Sequence, residues 1–181
     1  MDVIVLRGDR VVLRGWEPRD AEPFAAMNAD LVVMEHFTAP LTRSDSDAMM
    51  ERLQQGLERR GWGAWCLDIN GTCAGFVGLT PVTFEASFTP CVEIGWRLAA
   101  AHWGKGYATE AARLAAGAGF ETVGLEEIVS FTAVANWRSR RVMERLGMRR
   151  SSSEDFDHPR VPQGHPLRRH VLYRLAARDF K

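Results

Sequence analysis

The apolar residues come in short blocks whose period changes along the chain, and each change marks an element. Residues 3–13 alternate with a period of two, as a strand or strand pair does. Pro18 predicts a helix over 18–28, because the fixed φ of proline suits a first helical turn. Residues 31–41 have no period and are apolar for a loop. Ser44 with Asp47 three residues on suggests a capping box and a helix to about Arg60. Two β-rich runs, 64–69 and 73–82, flank Asn70-Gly71, a dipeptide suited to a two-residue hairpin. Residues 91–98 form another strand. A helix over 105–120 follows, with Ala108, Ala111, Ala112, Ala115 and Gly119 on one face, small enough for close packing on a sheet. Residues 128–134 are a β-branched strand, 136–146 a short helix stopped by Gly147, 151–168 a long polar loop, and 170–175 a last strand. Strands and helices mix without strict βαβ order, which predicts one α+β (mixed α/β) domain over 1–181.

Charge and composition narrow the function by exclusion. Lys+Arg and Asp+Glu are both 23, so the chain is not built mainly to coat nucleic acid or an anionic membrane. No apolar run has the length of a membrane span, and the N-terminus lacks the apolar centre of a signal peptide. A cytoplasmic location is the expectation. Cys66, Cys73 and Cys91 have no disulfide or CxxC pattern and read as buried strand thiols. A two-residue hairpin sets Cys66 opposite Gly75 and Cys73 opposite Asp68, so the two thiols are expected not to face each other. His158, His165 and His170 have no metal-ligand spacing, and no metal is expected. Trp16, Trp62, Trp65 and Trp96 read as core.

The chemistry concentrates in His102-Trp-Gly-Lys-Gly-Tyr-Ala-Thr-Glu-Ala111. A Walker A loop here needs glycine at Ala99 and Ser or Thr at Gly106; a GxGxxG from Gly104 needs glycine at Thr109. Both fail. What remains is a strand, a glycine loop and a helix, an arrangement that aims free N–H groups and a partial positive charge at an anion such as a pyrophosphate. A glycine-rich connection that binds nothing is the alternative.

The stretch Trp103 to Ala111 resembles the acetyl-CoA loop of the GNAT N-acetyltransferases, and in particular the Rim-type branch that acetylates ribosomal-protein N-termini. Two further stretches match in order: Val92-Glu-Ile-Gly-Trp-Arg-Leu98 is similar to the family's splayed strand. Asn136-Trp-Arg-Ser139, running into Arg141-Val-Met-Glu-Arg-Leu-Gly147, is similar to its Asn-x-x-Ser helix. The resemblance implies a central, mostly antiparallel, splayed sheet flanked by helices, acetyl-CoA as cosubstrate, an amine acceptor and a homodimer. It assigns Trp103, Gly104, Lys105, Gly106, Tyr107, Ala108 and Thr109 to the pyrophosphate, Trp96, Arg97 and Leu98 to strand-like pairing with pantetheine, and Asn136 to a pantetheine contact.

An amine must be neutral to attack. At pH 7 a lysine near ~10.4 needs about 4–5 kcal/mol to become so, and an α-amine near ~7.8 only about 1 kcal/mol. A weak base therefore serves an N-terminal acceptor, and Glu93 is the candidate, against the plain reading of a solvent-facing strand glutamate. Ser139 is the candidate acid for the departing thiolate, against a helix N-cap. Residues 31–41 with Phe37, and the His/Arg-rich 158–170, are candidate walls of the acceptor mouth. The acceptor is a protein N-terminus or a small-molecule amine. A non-catalytic acyl-CoA-binding module is the reading from another class.

Overall fold

A computed structural model describes residues 2–181. The strands are β1 (Leu6–Arg7), β2 (Val12–Arg14), β3 (Ala64–Ile69), β4 (Thr72–Pro81), β5 (Val92–Leu98), β6 (Glu127–Ala133), β7 (Arg149–Arg150), β8 (Phe156–Asp157) and β9 (Arg169–Ala176). The helices are α1 (Ala21–Ala29), α2 (Arg43–Arg60), α3 (Tyr107–Gly117) and α4 (Trp137–Arg145). The described strands form one sheet in the order β1-β2-β3-β4-β5-β6-β9-β7, with β8 also on β9. Neighbours are antiparallel except β5 and β6, which are parallel and share a single paired position, Glu93 with Val129. Beyond it the two strands diverge.

Alternation along β4 and β5 sorts the sheet into two faces. On one, Phe76 meets Phe24 of α1 edge-on with ring centroids 6.3 Å apart, and Arg97 bonds Asn28 of α1. On the other, Leu79 and Ile128 crowd Gly119 just past α3, where an added Cβ would lie 2.9 and 3.0 Å from them. Ala111, Ala112, Ala115 and Ala116 are fully buried here, so α3 packs close over β4 and β5 as the small-residue stripe predicts. None of the described helices is long and apolar enough to cross a membrane.

The pattern of elements follows the sequence reading, with local corrections. Thr42, not Ser44, caps α2: its Oγ1 accepts from Asp45 N at 3.1 Å and donates to the Asp45 carboxylate at 2.6 Å. The residue-105 start moves to Tyr107, with left-handed Gly106 as N-cap. The loop over 151–168 contains β8, and β7 precedes it.

The hairpin turn is where expected, with Asn70 at φ 53 and Gly71 at φ 83, but a bulge follows it. Asp68 pairs with Cys73 as expected, whereas Leu67 pairs with Gly75, so Cys66 lies opposite Phe76 rather than Gly75. Cys66 and Cys73 remain diagonal neighbours on one face, and their sulfurs and an Asp20 carboxylate oxygen lie within 4.8 Å of one another. The expectation that the thiols do not face each other therefore fails, because diagonal strand neighbours are within reach. Both Asp20 oxygens accept from Arg14, at 2.7 and 2.9 Å, and Oδ2 also accepts from Glu17 N. This buried knot ties β2, β3 and the start of α1 together.

Gly78 makes the same face close-packed. An added Cβ would lie 2.0 Å from Gly63 O and 2.6 Å from Ala64 Cα, both backbone atoms that cannot swing aside. Gly78→Ala is expected to destabilise the fold by about 3 kcal/mol or more, read as the loss of midpoint in a urea titration. Gly71→Ala, where an added Cβ meets nothing within 4 Å, is expected to cost less, through its positive φ alone.

Candidate active site

The site begins where β5 and β6 part. Past Glu93, the β5 edge that faces β6 has no ladder partner, which leaves the backbone of Trp96, Arg97 and Leu98 available to an extended ligand. Trp103 holds this edge from below, its indole Nε1 donating to Leu98 O at 2.8 Å. A turn of 3-10 helix over Ala100–His102 then leads into the glycine loop.

Gly104 at φ 74 and Gly106 at φ 83 occupy the left-handed region, which explains both glycines. The first intrahelical bond of α3 runs from Glu110 N to Gly106 O at 3.0 Å. The N–H groups of Tyr107, Ala108 and Thr109 therefore have no partner within the helix and point out of its N-terminus, where the dipole favours an anion. A Cβ on Gly104 would meet nothing within 4 Å, so the loop is open to solvent and to a ligand. Lys105 is exposed beside it.

The opening Arg10-Val-Val-Leu-Arg14 also fits the family resemblance, but the role of Arg10 in supporting this loop is not legible in the sequence. Arg10, between β1 and β2, reaches across 95 residues to donate from Nη1 to Lys105 O at 2.9 Å. Its Nε donates to Glu110 Oε2 at 2.8 Å, its own backbone N to Glu110 Oε1 at 2.8 Å, and its guanidinium lies 5.0 Å from the Tyr107 ring. Glu110, read from sequence as a plain first-turn acid, is the other half of this clamp. The signal was the charge pair itself, but nothing local links positions 10 and 110.

Glu93 sits at the apex of the split, on the face that carries Gly95 and Arg97. It makes no hydrogen bond or ion pair among the described residues. Its Oε1 lies 3.8 Å from where a Gly95 Cβ would be, so the absent side chain opens the floor beside the carboxyl. Burial pushes the carboxyl up to about 8. The side chain is half-buried. Ser139 stands at the third residue of α4, and the N-cap is Asn136, whose Oδ1 accepts from Ser139 N at 3.2 Å. Asn136 Nδ2 donates to Thr132 Oγ1 at 3.0 Å, so both amide ends are engaged within the protein and fix α4 onto β6. The Ser139 hydroxyl is left without a partner among the described residues.

The acceptor-wall candidates fall on the Glu93 face. Phe37 is 41% exposed, and its ring covers the Arg97 guanidinium at 4.1 Å. Across the split, Phe131 of β6 heads an aromatic cluster with Phe84, Phe88 and Phe156. His158 and His170 join it with rings 4.9 Å apart, and burial foremost lowers both, His158 to about 4, so both are neutral at neutral pH. His165 lies outside this cluster, its Nδ1 accepting from Leu167 N. The one group of described residues with metal-ligand proximity, Asp20, Cys66 and Cys73, lies at the β2–β3 knot instead. Its carboxylate is already held by a guanidinium, and bonding to Cys73 together with burial keeps the Cys66 thiol protonated.

The Arg10 clamp predicts a local effect. Arg10→Met is expected to raise amide hydrogen exchange at Gly106–Glu110 by about tenfold, the loss of one charged hydrogen-bond pair, while β3 and β4 exchange as before. Equal rates in both proteins would remove the clamp from the loop's support.

Residues 10–149 match the family described as Acetyltransferase (GNAT) domain. The chain is 32% identical over 139 residues to the FsC-acetyl coenzyme A-N(2)-transacetylase of Aspergillus fumigatus, covering 74% of this chain and 59% of that protein. Its fold superposes on an acetyltransferase (GNAT family) from Bacillus anthracis with a TM-score of 0.80 at 24% identity, over 97% of this chain and 99% of that one. It also superposes on Mycobacterium smegmatis RimJ in complex with CoA-disulfide with a TM-score of 0.74 at 22% identity, over 97% and 87% of the two chains. The split sheet, the glycine loop at the head of α3 and the match over most of the chain agree, and the chain belongs to the GNAT acetyltransferase family.

Proposed function

We propose that this protein transfers the acetyl group of acetyl-CoA to a primary amine, and that a protein N-terminal α-amine is the acceptor it suits best. The observation that carries the reading is Glu93: a carboxyl without a protein partner, at the point where β5 and β6 part, with burial holding it at about 8.

The residues fit acetyl-CoA. The free N–H groups of Tyr107, Ala108 and Thr109, with Gly104, Lys105 and Gly106 keeping the approach clear, suit the pyrophosphate. The open backbone of Trp96, Arg97 and Leu98 suits the amides of pantetheine. Acetyl-CoA supplies an activated acyl group whose leaving group is a thiolate. The chain supplies the proton traffic. Glu93, as carboxylate, accepts a proton from the ammonium form of the acceptor, directly or through water, and an acid at about 8 is matched to an α-amine near ~7.8. The Ser139 hydroxyl, held at the start of α4 by the Asn136 cap, donates a hydrogen bond to the departing sulfur, which takes up the second proton that the nitrogen loses as the amide forms.

The Aspergillus relative's name pairs FsC with acetyl transfer at an N(2) nitrogen, so an amine on a different kind of acceptor is the second reading. Free-CoA release measured with N-terminal peptides and with small amines separates them. Peptides are expected to give the higher kcat/KM, and a small amine that outpaces every peptide would establish the second reading.

Three variants test the roles. Gly106→Val, at φ 83, is expected to abolish acetyl-CoA binding in titration calorimetry. Ser139→Ala is expected to lower kcat about tenfold while leaving the acetyl-CoA Kd within about twofold, because the thiolate develops only as the bond breaks.

For Glu93→Gln the sign follows from the raised value. A carboxyl held at about 8 in the fold and near ~4.3 unfolded takes up a proton on folding between those values. Its burial is tolerated below about pH 4.3 and costs stability increasingly up to about pH 8. The variant is therefore expected to melt about 4 °C or more above wild type at pH 8.5 and to match it near pH 4.5. Its rate should lag at neutral pH and partly recover at high pH, where the amine is already neutral.

A further inference from the structure

Arg97 points its side chain to the same face as Glu93, four residues along β5 and about 13 Å away measured along the strand. No described acid lies within ion-pair distance of it. Its Nη1 donates at 2.6 Å to Asn28 Oδ1, a neutral oxygen, and its Nε is buried with no partner. Phe37 and Phe76 cover the guanidinium at 4.1 and 5.6 Å, and burial lowers it to about 10.

Elsewhere in the chain several arginines in partly buried positions carry carboxylates, while Arg140 bonds the Tyr173 hydroxyl and Val134 O instead. Arg14 has Asp20 and Asp68, and Arg174 has Glu127 and Glu154. Arg60 also has an unpartnered Nε, but it closes the last turn of α2, where the helix dipole supplies negative charge. Arg97 meets the last turn of α1 through Asn28, and no carboxylate reaches it there. A desolvated cation without a counter-charge is costly, and it recurs in native structures where a ligand brings the missing charge.

We propose that Arg97 receives a carboxylate on the acceptor, at the end away from the amine. The proposal rests on the reading of Glu93 as the place where the amine reacts. The face then has a lone acid and a lone base, neither paired with the other, and Gly95 between them leaves the floor clear. An acceptor with an amine and a carboxylate at a distance complements both. The pantetheine arm carries no charge, and the phosphates belong at the head of α3, so the cosubstrate does not satisfy Arg97. A planar carboxylate can meet a guanidinium edge to edge through parallel N–H groups, which favours it over a tetrahedral phosphate.

The test uses matched peptides with a free N-terminus and an amidated C-terminus: Ala-Glu-Ala against Ala-Gln-Ala, and Ala-Ala-Glu against Ala-Ala-Gln. Two readouts are taken, kcat/KM from CoA release and Kd from titration calorimetry on CoA-saturated protein. In the wild type, the acidic member of at least one pair is expected to be favoured about tenfold or more in either readout. In Arg97→Met the acid-to-amide ratio is expected to fall toward one whatever the absolute rate, and Arg97→Lys should keep part of it. Acetyl-CoA titration of each variant confirms that it is folded.

Acid and amide peptides behaving alike in both readouts, or failing to bind at all, would overturn the proposal. So would a preference that survives Arg97→Met. If peptides bind with an Arg97-dependent acid preference but none is acetylated, the acidic subsite stands and the transferase reading is what fails. A terminal phosphoserine peptide, Ala-phosphoSer-Ala, preferred over Ala-Glu-Ala would overturn the choice of carboxylate.

Discussion

Two parallel neighbours cannot be joined by a hairpin; the chain must leave the end of one strand and return to the start of the next through a crossover. Here β5 and β6 are that pair, in a sheet otherwise antiparallel, and α3 is the crossover. The rest of the site depends on this constraint. The helix must start where β5 ends, so its free N–H groups and its dipole arrive beside the unpaired end of β5 without further design. Because the strands share only the Glu93–Val129 position, the same geometry opens a slot between them and puts Glu93 at its closed end.

The two faces of the sheet then divide the labour. Beneath α3, small residues dominate, and the crowding at Gly119 shows how little space remains. That face fixes the angle at which the helix meets the strands, and so the position of the glycine loop. Arg10 and Glu110 add a second anchor from the far edge, so the loop is held from both sides of the crossover. The opposite face is less closed. It holds an exposed Phe37, an aromatic cluster with two neutral histidines, and two ionisable side chains without a counter-charge, features that cost stability. The proposed cosubstrate contacts thus fall on backbone atoms beside α3, and the proposed acceptor contacts on side chains of the opposite face.

How much of this the sequence carried depends on the range of each interaction. The glycine loop, the alanine stripe and the Asn70-Gly71 turn are local signals, and all three stand in the structure. The α2 cap moved by two residues because Thr42-x-x-Asp45 and Ser44-x-x-Asp47 are equally good patterns, and only the helix geometry selects between them. The bulge at Ala74 could not be read, since it arises where Gly75 takes φ 144 to fit against Arg97 O, a contact between strands. With the register shifted, Cys66 and Cys73 gather near Asp20 rather than standing apart. The partners of Arg10 and of Arg14 across the sheet could not be read, because a charge pair separated by tens of residues has no period.

Glu93 is the one residue where sequence and structure had to be combined. Its position on β5 is legible, but its chemistry is not, because a strand glutamate becomes a useful base only when its surroundings withhold charge. The described residues bring no cation to it, and burial is the sole cause of its raised value. Had Arg97 turned toward Glu93, the pair would have neutralised itself and the carboxylate would have remained a weak acid's conjugate near its ordinary value. Arg97 instead lies under Phe37, bonded to Asn28, which keeps the two ionisable groups apart on one face. That separation costs the fold the energy of two unpaired, partly desolvated groups. It leaves a carboxyl at about 8, close to an α-amine near ~7.8, where a lysine at ~10.4 would hold its proton against it. The proposed preference for an α-amine thus rests on how Glu93 is buried and on how the fold keeps Arg97 away from it.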